Sequence, residues 1–358
     1  MKLMERGGVL PLMLLVACAS NSGATFEPLG DGSTGADSAL DDSGSNHGSD
    51  SGFVVNDAQA PPPGDGGTAV ATTIYANTDD SLYSMDPNTM AVTLIGKVAG
   101  LGGGANDTNM TDMAVNANGD VFVNSESVVY KAAVPNGPGT VQLTKVASIS
   151  LKANQKFYAL AFTPAGALEA GETLIGGDGN GELWSIDASN GTTKDLGNFG
   201  PDSAHVGSIF ALSGDLVFYE DANNKPTGLA TIRSCKTGTT TCIRTSDYLA
   251  GVDMTALAAA FKSGTPGKLL TGIYGGSKTT AGAGTGYGDL FGLGAWQGNV
   301  FAFARKTTTT PPRLVGVSTV TGAGTVLSSS FPFTNGWSGA GVSTKVTVNV
   351  PPPPPPPN

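Results

Sequence analysis

The chain has 358 residues, of which 52 are Gly and 22 are Pro, and charged residues make up only 13%. That composition suits short strands and tight turns and argues against a coiled coil or helical bundle. The net charge of −10 is concentrated in residues 19–68, which hold eight acids and no Lys or Arg; the remainder is nearly balanced and offers no basic footprint for nucleic acid.

Residues 1–17 read as an export signal, with Lys2 and Arg6 ahead of an apolar run from Val9 to Ala17 that is too short to span a bilayer. The closing Leu15-Val16-Ala17-Cys18 resembles the lipobox of bacterial lipoproteins. The resemblance implies that Cys18 becomes the first mature residue and carries acyl chains such as palmitate. Their burial contributes about 0.8 kcal/mol per CH₂, so the anchor is stable only with several chains. Residue 19 is Ala rather than Asp, which in that family favours the outer membrane.

Residues 18–68 are dominated by Gly, Ser, Asp and Ala. Such a segment cannot bury enough apolar surface to fold, and it is expected to be a disordered acidic stalk with a reach of roughly 40 Å. No calcium loop of the D-x-[DN]-x-[DN]-G type occurs in it.

Residues 69–348 carry internal repeats. Hairpin patterns recur at Leu82–Val98, Val128–Ser148, Glu182–Phe199, Leu229–Ser246 and Leu314–Ser329, with Asp-Pro-Asn, Asn-Gly and Thr-Gly supplying the turns. More apolar strand pairs rich in small residues precede most of them. Inner strands are expected to begin near Asp112, Tyr158, Ser208, Met254 and Leu290, at spacings of 46, 50, 46 and 36 residues. Four antiparallel strands per unit at this period predict an all-β β-propeller. The expected count is about six four-stranded blades, with five to seven compatible. Closure would come from pairing Gly336–Val348 with the hairpin that begins near Thr72, which removes an exposed edge. The body resembles secreted bacterial propellers of the repeat type in architecture, without a diagnostic sequence tetrad. A large β-sandwich or irregular barrel is the competing fold.

Cys235 and Cys242 flank one hairpin turn, so cross-strand geometry predicts a disulfide over free thiols or a metal site. Its formation fits an oxidising compartment. Loops entering the inner strands should converge at one channel mouth, where Asp112, His205, Asp253, Asp289 and Trp337 are candidate binding residues. Asp and Asn oxygens there have the chemistry to hold Ca²⁺ or a polar small molecule, and His205 beside an Asp could move protons. The plainer reading gives these residues to turn caps. No fixed spacing identifies a catalytic residue or a resident cofactor. The alternate glycines Gly282, Gly284, Gly286 and Gly288 lack a following Lys-Ser/Thr and read as a loop rather than a nucleotide site.

Residues 349–358 form a proline tail, with Pro351 to Pro357 expected to be a polyproline II rod acting as a spacer or a stiff free end. The sequence thus predicts a lipid-anchored extracytoplasmic binding module for an unidentified protein, glycan or small molecule. A metal-dependent propeller hydrolase or lactonase and a structural envelope protein are the alternatives.

Overall fold

The computed structural model describes residues 73–355 except 105–106, 154, 240, 278–279, 306–309, 334–335 and 347. Cys18 and the stalk therefore lie outside the described residues. The fold is all-β, 49% strand and 4% helical, and no described helix is long and apolar enough to cross a membrane.

In chain order, β1 (Ile74–Asn77), β2 (Ser81–Met85) and β3 (Val92–Ala99) form a meander, followed by β4 (Asp112–Val115), β5 (Val121–Asn124), β6 (Val128–Ala133) and β7 (Val141–Ser148). A short parallel contact of β3 with β7 joins these seven strands into one sheet, and the last strand of the chain adds an eighth beside β1. The next meander is β8 (Phe157–Thr163), β9 (Thr173–Asp178), β10 (Leu183–Ile186) and β11 (Thr193–Asn198). After β12 (Pro201–Asp202) come β13 (Ser208–Glu220), β14 (Pro226–Lys236) and β15 (Tyr248–Val252). Helix α1 (Met254–Ser263) and β16 (Gly267–Lys268) then precede β17 (Leu270–Ile273), the outer partner of β15. The last meander is β18 (Leu290–Trp296), β19 (Asn299–Ala304), β20 (Arg313–Val317) and β21 (Gly324–Ser328), and β22 (Gly339–Gly341) ends the series.

β22 pairs antiparallel with β1, Ala340 opposite Ala76. The leading strands also pack beside one another: β4 on β8, β8 on β13, β13 on β18, β18 on β22 and β22 on β4. This arrangement is propeller-like, and it explains the small side chains of the leading strands. A Cβ on Gly292 would sit 2.9 Å from the Cβ of Ala340, and one on Gly339 would overlap the Asp112 carboxyl group. Bulk is carried farther out, as in the edge-to-face cluster of Tyr83, Phe303, Phe331 and Phe333 around Trp337.

The expected inner strand near Met254 is corrected to α1. Asp253 caps the helix, its carboxylate accepting from Thr255 N at 3.0 Å and Ala256 N at 2.9 Å, and Gly264 closes it at φ 70°. An alanine-rich segment between two good caps with Leu257 and Ala260 to bury prefers a helix to a strand.

Beyond β22 the chain runs across the hairpin turns of four meanders. Ser343 Oγ donates to Asn116 O, Thr344 to Glu172, Val348 N to Glu220 O and Asn349 N to Gln297 O. The strap's own Val342, Val346, Val348 and Val350 are buried in the core. The proline tail does not stand free over its described part, because Pro353 and Pro354 lie against Gly251 and Gly272.

Candidate functional site

The leading strands enclose a buried pair of acids. Asp112 opens β4, and Asp215 sits at a bulge in β13 between Leu212 and Leu216; neither is exposed. Asp112 Oδ2 accepts the Leu160 N–H at 2.7 Å, and Asp215 accepts those of Leu216 at 2.5 Å and Leu293 at 2.6 Å. Three leading strands, β8, β13 and β18, thereby each give one amide to the pair.

The two carboxyl groups lie close enough for the charge of one to act on the other, and no N–H or hydroxyl among the described residues donates to Asp112 Oδ1. A proton on one acid resolves this, since two touching carboxylates cannot both stay ionised in a dry site. Burial drives the Asp215 carboxyl up to about 8. Burial first, and the neighbouring Asp215 charge second, hold Asp112 well above the usual carboxylate range. A cavity of about 10 Å³ between Met113–Val115, Leu160–Phe162, Leu216–Phe218 and Gly341–Val342 has room for no more than one water.

A second acid group lies around Arg233 on β14. Its guanidinium pairs with Asp247 Oδ1 at 3.1 Å and Asp289 Oδ1 at 3.1 Å, and donates to Asp247 Oδ2 and to the Ser213 carbonyl, both at 3.2 Å. Asp247 also accepts the Leu290 N–H at 3.0 Å. Burial raises the Asp247 carboxyl to about 6 despite the guanidinium.

The five candidate mouth residues occupy separate surroundings. Asp112 belongs to the buried pair, Asp289 to the Arg233 cluster and Asp253 to the cap of α1. His205 Nδ1 lies 2.7 Å from Asp202 Oδ2, with the imidazole partly in solvent. Trp337 is fully buried and cannot line an open mouth. No hydrogen bond, ion pair or ring contact joins any two of these five among the described residues. The candidate set lacked Asp215 and Arg233. A signal for Asp215 was present, since SIFALSGDLVFYE places one charge inside an otherwise apolar strand. Cys235 and Cys242 are disulfide-bonded, as their spacing predicted.

A further opening is lateral. A cleft of about 560 Å³ lies beside β9, β10 and α1, lined by Phe162, Glu169, Glu172, Asp187, Asn190 and Phe261 among others. Lys194 spans one side, its ammonium 4.8 Å from the Phe261 ring centre and donating to the Phe261 carbonyl.

No protein-family model matches the chain, and no curated protein matches it. Solved structures of similar fold include a Bacteroides caccae protein of unknown function at 9% identity and TM-score 0.34, covering 76% of this chain and 98% of that one. A Bacteroides thetaiotaomicron protein of unknown function matches at 12% identity and TM-score 0.37, covering 78% and 60%. A Bacteroides uniformis protein provisionally named a 6-phosphogluconolactonase matches at 13% identity and TM-score 0.29, covering 73% and 67%. At such low similarity none of their properties passes to this chain.

Proposed function

We propose that the chain is a five-bladed, ring-closed propeller, tethered through lipidated Cys18 to the bacterial outer membrane, that binds polar ligands on its outer surface. The filled centre carries this reading. Asp112 and Asp215 are fully buried among the leading strands and accept amides from β8, β13 and β18, and the cavity lined by residues of β4, β8, β13 and β22 measures only about 10 Å³. The centre thus acts as a keystone, and recognition is left to the periphery, where the lateral cleft falls within the roughly 300–1,000 Å³ of ligand sites. Its carboxylates, amide and aromatic edges suit a polyhydroxylated ligand such as a glycan. The pairing of β22 with β1 and the mutual packing of the five leading strands support the blade count. A calcium-dependent hydrolase built on Asp112 and Asp253 is less favoured, because one is sealed in the centre and the other caps a helix.

A glycan array probed with the soluble domain tests the ligand class. Binding that Asp187→Asn with Glu169→Gln weakens at least tenfold supports the lateral cleft, and glycan binding indifferent to these changes overturns it. Calcium-dependent thermal stabilisation with no glycan binding would favour the metal reading. The anchor is tested separately by labelled palmitate, which wild type should incorporate and Cys18→Ser should not.

A further inference from the structure

The proline tail rests on an unusual piece of sheet. Gly251 on β15 and Gly272 on β17 are directly paired, and both are buried. Glycine weakens a strand interior, and one reason to keep it there is close approach by another backbone. Neither residue has the positive φ that would demand glycine for its conformation. What both lack is room for a side chain. A Cβ on Gly251 would stand 2.8 Å from Pro353 Cγ, and one on Gly272 would overlap the Pro354 carbonyl. Two residues beyond Gly272, the Tyr274 hydroxyl donates to the Pro351 carbonyl at 2.9 Å. Grooves that take polyproline II segments are lined by aromatic side chains, and here Tyr274 supplies one such side chain, its hydroxyl on a proline carbonyl, beside a floor of two glycines that lets the prolines approach the sheet closely. Prolines cannot donate to a strand ladder, so the tail is held by shape and by its carbonyls rather than as an added strand.

We infer that Gly251, Gly272 and Tyr274 form a receptor trough for a polyproline II run, filled in cis by the chain's own Pro351–Pro355. The tail extends the strap that begins after β22, fastening it to the β13–β17 sheet. Tethering supplies an effective concentration in the mM range for a short linker, so a trough of weak intrinsic affinity stays occupied.

The test uses the full chain with Pro351–Pro357 replaced by Gly and Ser, and a free peptide of seven prolines followed by Asn. Amide NMR signals of Gly251 and Gly272 should move in this variant as peptide is added, toward their positions in wild type. Wild type should not respond over the same range, and an equally long Gly-Ser peptide should move neither. Gly272→Ala in the replaced chain should weaken peptide binding at least tenfold, and Tyr274→Phe several-fold. The inference is overturned if the peptide leaves those signals unmoved, if it moves them equally in wild type, or if Gly272→Ala has no effect on binding. A wild-type dimer abolished by tail replacement would overturn the assignment in cis, because the tails would then be exchanged between copies. Should Gly272→Ala fail to fold, the peptide titration of the replaced chain decides alone.

Discussion

Asp215 and Asp247 are both fully buried acids that accept backbone amides leading into β18, Leu293 for one and Leu290 for the other. They differ in what faces their remaining lone pairs. Asp247 meets the Arg233 guanidinium, whereas Asp215 meets a second acid and a proton. Burial opposes ionisation at both, lifting Asp215 to about 8 and Asp247 only to about 6, because the guanidinium takes back part of the desolvation cost. A dry interior can thus house an acid in two ways, and only one of them depends on a permanent opposite charge.

Removing that charge should have the largest effect. Arg233→Met strands Asp247 and leaves Asp289 with only the more distant Arg244, at 3.5 Å. A loss of about 3–5 kcal/mol is expected in denaturant unfolding. Replacing Asp247 by Leu in the same chain should recover only part of it, since the Leu290 amide then lacks its acceptor. At the proton-sharing pair, Asp112→Ala should cost about 1–3 kcal/mol by leaving the Leu160 amide unsatisfied. Asp112→Asn should cost less, because its amide can donate where the shared proton sat while its oxygen still accepts Leu160 N–H. Equal losses for Ala and Asn would show that no proton is shared.

The pH dependence sharpens the contrast further. A carboxyl raised from its unfolded value near 4 to about 8 stabilises the fold fully at acid pH, and that contribution is lost as pH rises through 8. The melting temperature of wild type should therefore fall as pH rises from about 4 to 8 and level off above that. The fall should be shallower in Asp112→Asn and absent in Asp112→Asn with Asp215→Asn, while the Asp247 contribution is lost lower, around pH 6. The smallest effect belongs to an acid that needs neither proton nor guanidinium. Asp253 satisfies two amides at the start of α1 near solvent, and Asp253→Ala should cost about 1 kcal/mol by thermal melting.

Much of the fold could be read from local pattern. The expected strand starts near Asp112, Tyr158, Ser208 and Leu290 coincide with β4, β8, β13 and β18, and the Cys235–Cys242 pair follows from one hairpin turn. The strand expected near Met254 failed because alternation was sought where capping decided the outcome. The candidate site was less legible. Asp112 was singled out for an open mouth and belongs to a sealed centre, while its partner Asp215 lies 103 residues away along the chain.

The order of residues by itself determined strand, turn and composition, since period-two alternation and Gly, Asn and Asp turn chemistry act over a few residues. Only the tertiary structure decided which acids share a proton, which one meets Arg233, and where the prolines lie. Those outcomes depend on desolvation and on close approach between segments far apart in the chain, and a linear reading contains neither.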